Sequence, residues 1–286
     1  MIRLRAPAKV NLSFEVLGRR TDGFHEVRTV LAAVDLADEL DFQEAGPLAL
    51  TVEPHGATPI ETNLVLRAAE LLRDACGVPG GASIVLRKRI PVAAGLGGGS
   101  SDAAAALLGL RRLWDLDLSD RTLAELAALL GADVPFFLRG GTALAAGRGE
   151  QLTPLPQPFE RFAVVVAPEQ PAAGKTARLY DMLGPRHFSD GGRAGVVSRR
   201  IRAGVPLGRT MFTAFEAVAP LAYASYEPLR TAFAEAGARA LLSGTGPAMF
   251  ALAGDEAKAG AIRERLVERG YTAWTARLLP GGTEDG

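Results

Sequence analysis

The run Gly95-Leu96-Gly97-Gly98-Gly99-Ser100-Ser101-Asp102 lies directly ahead of an alanine-rich stretch, and it limits what the chain can build more than any other segment. Four glycines in five positions let the backbone take positive φ angles and approach a ligand with no side chain in the way. Ala103 to Trp114 reads as a strong helix, so the free amides and the dipole of a helix start fall at the glycines and favour an anion there. Ser100 and Ser101 add hydroxyls suited to phosphate oxygens or to a magnesium ion. Asp102 sits where first-turn acids complement the dipole. A plain flexible turn is the simpler alternative, but a turn needs one or two glycines and not four. Two other phosphate motifs are absent: there is no GxxxxGK[ST], and Ser100 stands where GxGxxG needs its third glycine.

Around this loop the pattern predicts an α+β chain of two domains. Val10, Leu12, Phe14 and Val16 alternate with Asn11, Ser13 and Glu15, as in a half-buried strand. Further strands are expected at Val27–Val34, Leu40–Phe42, Leu48–Val52 and Ser83–Leu86. A helix follows Thr62 as its cap, and another runs from Ser119 through Leu130. The proline-rich stretch TPLPQPFE marks the expected boundary, giving domains 1–155 and 156–286. Beyond it, a strand at 162–166, a helix near 225–236, strands near 238–243 and 248–252, a helix near 255–268 and a strand near 271–278 follow. That order is the ferredoxin-like β-α-β-β-α-β plan. Residues 184–209, rich in Gly and Arg without clear periodicity, are expected to form a mobile loop with at most short helices.

Charge narrows the function. The chain has 286 residues with 32 basic and 32 acidic side chains, so a nucleic-acid partner, which calls for a basic surplus, is not expected. No apolar run approaches the length of a membrane span, and the chain begins at MIRLRAPAK without a leader-like segment. With a single cysteine, Cys76, expected to be a buried thiol, the expectation is a cytoplasmic protein, monomer or homodimer, acting on a small molecule. Only four of the basic residues are lysines, Lys9, Lys88, Lys175 and Lys258, which hints that some are kept for a compact ammonium.

Three segments together carry a family resemblance: Ala6-Pro7-Ala8-Lys9-Val10-Asn11-Leu12, the stretch from Pro91 through Gly95-Leu96-Gly97-Gly98-Gly99-Ser100-Ser101, and Ser243-Gly244-Thr245-Gly246-Pro247. In order and spacing they resemble the three motifs of the GHMP kinases. The triple glycine, the segment Gly18-Arg-Arg-Thr-Asp-Gly-Phe-His-Glu26 and Gly131-Ala-Asp-Val-Pro-Phe-Phe137 are similar to one branch, whose acceptor is 4-diphosphocytidyl-2-C-methyl-D-erythritol. The resemblance implies a two-domain GHMP fold that moves the γ-phosphoryl group of ATP, with Mg2+, to the 2-hydroxyl of that acceptor in non-mevalonate isoprenoid synthesis.

By the same resemblance Asp133 is the base and Lys9 the ammonium beside it. A carboxylate next to an ammonium is ionised at neutral pH and free to accept a hydroxyl proton. From spacing alone, Asp133 as the cap of a short helix begun by Val134-Pro135 is an equal reading. Asn11, on the same strand face as Lys9, is expected to reach the acceptor's hydroxyls. His25 would read the edge of cytosine, with Phe24 and Tyr180 sandwiching the base. The branch commonly has tyrosine at the position of Phe24, so a phenolic hydrogen bond is given up here. Thr176, in a segment resembling the substrate loop, and Gly244 and Gly246, in the third motif, complete the acceptor side. Pro91, the loop residues and Asn63 form the ATP side. For Lys88 an approach to adenine and plain solvation within Arg87-Lys88-Arg89 are equally open. The magnesium ligands are not identifiable. Competing readings are a homoserine- or mevalonate-type kinase, which would have no base to stack, and a non-catalytic ligand sensor on the same fold, which would dispense with Lys9 or Asp133.

Overall fold

The computed structural model describes residues 1–55, 58–168 and 174–281. Its first sheet is built on two long antiparallel strands, β1 (Ile2–Arg19) and β2 (His25–Ala45), paired from Ile2 opposite Phe42 to Arg19 opposite His25. On its other side β2 changes partner. Residues 29–32 pair with β5 (Thr142–Ala146), and residues 39–45 pair with β4 (Gly81–Arg87). β3 (Ala49–Glu53) flanks β4 in parallel, and β6 (Gln151–Leu155) flanks β5. The two strands expected at Val27–Val34 and Leu40–Phe42 are thus one. The interruption in their pattern is Asp38, which is fully buried and carries buried ion-pair and amide contacts.

Four helices cover one face of this sheet: α1 (Leu64–Cys76), α2 (Gly98–Leu113), α3 (Asp120–Leu130) and the short α4 (Val134–Phe137). They pack on Leu31 and Ala33 and, beyond the register shift opposite Pro7/Ala8 that reverses the alternation, on Leu40 and Phe42. The cap of α1 is Asn63, not Thr62: Asn63 Oδ1 accepts from the Val65 amide at 3.0 Å. Cys76 is free and only half-buried at the end of α1.

The second sheet has four antiparallel strands in the order β11-β7-β10-β9: β7 (Phe162–Val166), β9 (Leu241–Leu242), β10 (Met249–Ala253) and β11 (Ala273–Arg277). With α8 (Tyr226–Glu235) and α9 (Glu256–Glu268) this is the expected β-α-β-β-α-β plan. The insertion after β7 holds α5 (Lys175–Asp181), α6 (Gly192–Arg202), β8 (Phe212–Thr213) and α7 (Ala219–Ala222). α6 corrects the expectation of a loop at 184–209. Its Ala194, Val197 and Ile201 keep helical spacing and are buried, while the surrounding Gly and Arg lower the average enough to hide them.

The two sheets share a core. Val10, Leu12, Val30 and Ala32 from the inner faces of β1 and β2 pack with Val165, Phe250 and Ala276 of the second sheet and with Val197 and Ile201 of α6. β8 pairs in parallel with β1, and Val34 bridges to Leu278, so chain from the later half also completes the first sheet.

One ion pair at the sheet has a consequence for acid stability. Arg3, with Arg87, holds the buried Asp41 carboxyl down to about 2. A carboxyl depressed in the folded state contributes stability at pH above its ordinary value near 4, and loses it as pH falls through the folded value. Because Arg3 is largely exposed, the contribution is on the order of 1 kcal/mol. Urea unfolding of the wild type should therefore weaken between about pH 4 and 2 by that much more than unfolding of Asp41→Asn.

Candidate active site

The glycine loop ends in α2 as expected, but the helix begins earlier, at Gly98. Gly97, at φ +75°, is its cap, leaving the first-turn amides free of any capping side chain. Glycine is required at two points. A Cβ on Gly95 (φ +86°) would lie 2.2 Å from the Ser243 carbonyl oxygen, and one on Gly97 would lie 2.8 Å from the Phe137 ring and 3.0 Å from Lys9 Cγ. The loop is therefore wedged between β1, α4 and the turn that follows β9.

Lys9 ties these parts together. It is 3% exposed, and its backbone amide donates to the Leu96 carbonyl at 2.9 Å. Its Nζ donates to the Gly95 carbonyl at 2.7 Å and to Asn11 Oδ1 at 2.6 Å, with Asp133 Oδ2 at 4.0 Å. Burial lowers the Lys9 ammonium from its ordinary value, and Asp133 offsets part of this. The Gly95 carbonyl also accepts from Ser243 Oγ at 3.0 Å, and the Ala248 amide donates to the Ala94 carbonyl at 3.0 Å. Three segments far apart in sequence thus meet within a few ångströms.

Asp133 is the N-cap residue of α4 by position, yet its side chain makes no capping hydrogen bond. With 37% of that side chain exposed, the carboxylate faces the cleft. Asn11 is a correction. It is buried, its Oδ1 is taken by Lys9 and its Nδ2 donates to Thr29 Oγ1 at 2.8 Å, so it holds Lys9 in place and does not line the cleft. Gly246 also lies off the lining, backed against Leu242, whereas Gly244 and Thr245 face in. Asn63 borders the cleft, but its amide is spent on the Val65 amide and on Thr58 Oγ1, so it shapes that end.

Lys88 is not solvated within Arg87-Lys88-Arg89. It is buried in the cleft wall beside Gly98, where its Nζ donates to Asp38 and, at 2.6 Å, to Asp102. Burial weakens the ammonium, but Asp102 and Asp38 more than restore it. Burial pushes the Asp102 carboxyl up against the pull of Lys88. The triad fastens the start of α2 to β2, because Asp38 also accepts from the Arg89 and Ile90 amides.

At the other end, the expected sandwich of a base between Phe24 and Tyr180 is not the arrangement found. One face of the Tyr180 ring is covered by His25, stacked at 4.8 Å, and Phe215 meets it edge-on at 5.0 Å. Phe24 is 55% exposed with the Arg148 guanidinium 5.1 Å from its ring centroid. Burial, reinforced by Arg19, lowers the His25 imidazole, so it is neutral at pH 7 and presents one donor and one acceptor nitrogen. Arg148, whose Nε also lies 3.9 Å from Glu150 Oε2, had no signal in the sequence beyond its flanking glycines.

All of this lines one cleft of about 1160 Å³, which takes in Pro91, Gly95–Ser100, Lys9, Asp133, Phe24, His25, Thr176, Tyr180 and Gly244. Ser101 is nearly fully buried beneath it. A larger and shallower concavity of about 1530 Å³ over α8 contains none of these groups. No cluster of three metal-ligating side chains occurs among the described residues, and no helix among them is long and apolar enough to cross a membrane.

A glycine loop seated on a helix start, closed by a second glycine turn and facing a Lys–Asp pair, defines a small-molecule kinase. The sequence agrees, matching the GHMP kinases N terminal domain over residues 63–141 and the GHMP kinases C terminal domain over residues 200–272. Similar proteins include the 4-diphosphocytidyl-2-C-methyl-D-erythritol kinases of Dehalococcoides mccartyi, 40% identical over 98% of this chain and 99% of the relative, and of Symbiobacterium thermophilum, 42% identical over 97% and 100%. A crystal structure of 4-(cytidine 5'-diphospho)-2C-methyl-D-erythritol kinase superposes with a TM-score of 0.81 at 38% identity, covering 98% of this chain and 100% of that one. Homoserine kinase from Cytophaga hutchinsonii, at 21% identity and a TM-score of 0.77, shares the fold. The chain belongs to the GHMP kinases and, within them, to the 4-diphosphocytidyl-2-C-methyl-D-erythritol kinase family.

Proposed function

We propose that this kinase transfers the γ-phosphoryl group of ATP to the 2-hydroxyl of 4-diphosphocytidyl-2-C-methyl-D-erythritol, giving the 2-phosphate and ADP in non-mevalonate isoprenoid synthesis. The observation that carries the reading is the joining of two unlike ends in one cleft. One end is a glycine loop for phosphates; the other is an aromatic slot with a neutral imidazole, suited to a nucleobase.

In this reading the α2 amides and the loop from Gly95 to Ser101 cradle the phosphates of ATP, while Pro91 and Asn63 border its base. The residues fit such a group: Gly97 caps the helix without a side chain, and Ser101 Oγ is buried without a hydrogen-bond partner among the described residues. Magnesium bound with the phosphates would supply charge neutralisation, and Ser100, which belongs to the cleft lining, would be a residue to hold it. Asp133 takes the proton of the 2-hydroxyl as its oxygen bonds to phosphorus and the bond to ADP breaks. Lys9, held by Gly95 and Asn11, sets its ammonium beside the Asp133 carboxylate. Phe24 offers the stacking face, His25 the hydrogen bonds to the cytosine edge, and Tyr180 supports His25 from behind. Thr176 and Gly244 border the acceptor. Residues 1–155 and 156–286 serve as the two domains, with β8 and the stretch near Leu278 crossing between them.

ADP release in the presence of ATP and magnesium, measured with the cytidine substrate, homoserine and mevalonate in turn, tests the proposal. Turnover confined to the cytidine substrate is expected. His25→Ala should raise KM for it about tenfold to a hundredfold, one charged or buried hydrogen bond's worth. Turnover of homoserine or mevalonate instead would sink the base slot.

A further inference from the structure

Lys175 opens α5 on the same cleft, and nothing above uses it. Its Nζ is shut off from solvent and has no hydrogen-bond partner among the described residues. Burial of that kind is costly for an ammonium unless an anion meets it. The start of α5 is fixed against the third glycine turn, where Thr176 Oγ1 lies 3.3 Å from Thr245 Oγ1. The same turn approaches Lys9 Nζ, 3.1 Å from where a Gly244 Cβ would stand. Lys175 is therefore placed at the Lys9–Asp133 end of the cleft, six residues from the Asp181 that ends its helix and away from the base slot.

We propose that Lys175 binds a phosphate oxyanion at the point of transfer, as a second cation facing Lys9 across the reacting group. Two of the three N–H donors of Lys9 are engaged by Gly95 and Asn11, and Asp133 lies 4.0 Å from its Nζ, so Lys9 has little donor capacity left for a phosphoryl group in transit. None of the three donors of Lys175 is taken among the described residues. Burial, with Lys9 adding to it, lowers the Lys175 ammonium to about 7, so the empty cleft carries it partly neutral. The charged groups that face it are Lys9 from β1 and, beyond Lys9, Asp133 at the head of α4. An arriving oxyanion restores the proton, and the ammonium then stabilises the charge spread over the equatorial oxygens of the transferring group. The inference rests on the proposed kinase reaction for its setting but commits only to the phosphate oxyanion. That oxyanion is the nucleotide's terminal phosphate, the group in transfer.

Calorimetric titration in two buffers of different ionisation enthalpy, at pH near 7.5, counts the protons taken up on binding. The probes are the magnesium complex of the non-hydrolysable β,γ-imido analogue of ATP and, separately, cytidine diphosphate. The wild type should take up more protons than Lys175→Met, by roughly half a proton or more at this pH. Excess uptake with the imido analogue supports the proposal, whereas excess uptake with cytidine diphosphate alone would overturn it, placing Lys175 on the acceptor's diphosphate and away from the reacting group. Lys175→Arg, which stays charged, should bind without the excess uptake and keep more turnover than Lys175→Met, whose kcat should fall about tenfold to a hundredfold. Because methionine replaces an unpaired buried ammonium, its melting temperature should hold or rise, separating this effect from misfolding. Equal proton uptake in wild type and Lys175→Met with the imido analogue, or an unchanged kcat, would overturn the proposal. The titrations need no turnover, so they stand even if the cytidine alcohol proves not to be the acceptor.

Discussion

Asp133→Asn should lower kcat by about 10²- to 10⁴-fold, with KM for ATP changed little. The amide keeps the size and shape of the carboxylate but cannot take the hydroxyl proton. Little stability should go with it, because the side chain makes no capping bond to α4 and is more than a third exposed. Lys9 keeps its two anchors to Gly95 and Asn11, so the loop should stay in place. Single-turnover phosphoryl transfer, with analogue binding measured alongside, would show the loss in the chemical step. A variant that turns over at near wild-type rate would leave Asp133 as a helix-capping position only, the alternative that spacing alone could not dismiss.

Gly95→Ala should be the most damaging single methyl group in the molecule. The added carbon would stand 2.2 Å from the Ser243 carbonyl oxygen and 2.9 Å from the Gly246 nitrogen, at a φ of +86° that alanine rarely adopts. Both neighbours are backbone, so nothing can swing aside, and the loop must separate from the turn that closes it. A loss of about 3–5 kcal/mol is expected, in the range of severe overpacking joined to backbone strain, together with loss of nucleotide binding. Gly99→Ala is the control. Its Cβ would find only Leu64 Cδ1, at 3.8 Å, and helix propensity favours the change. That variant should keep its melting temperature, and equal stability of the two variants would refute the wedge described for Gly95.

Much of this site was legible because the chemistry needs unusual backbone. Four glycines against a helix start, and a second glycine turn, announce close approach whatever the surrounding fold. The second sheet was legible too, since Val164 and Val166 alternate with Ala163 and Val165 between two cores and α8 and α9 keep helical spacing. What escaped depended on partners remote in sequence. Within Arg87-Lys88-Arg89 nothing distinguishes the lysine, and its burial follows from Asp38, 50 residues away, and Asp102, 14 away. Asn11 looked available because strand alternation gives a face but not a partner, and Thr29 came with the register of β2. His25 and Tyr180 were both expected near a base, yet their stacking on each other required the path of α5. The scarcity of lysine was a fair pointer: three of the four, Lys9, Lys88 and Lys175, line the cleft.

The seat of the loop also bears on when during synthesis the protein becomes competent. The glycines at 95–99 leave the ribosome early, but the backbone they lean on, from Ser243 to Gly246, is made some 150 residues later, on the order of ten seconds at ordinary elongation rates. Until then the nascent chain has its phosphate loop without the wall that sets its shape, and Lys9 has nothing on its far side. A loop shape that depends on that wall is thereby completed only in the last part of translation.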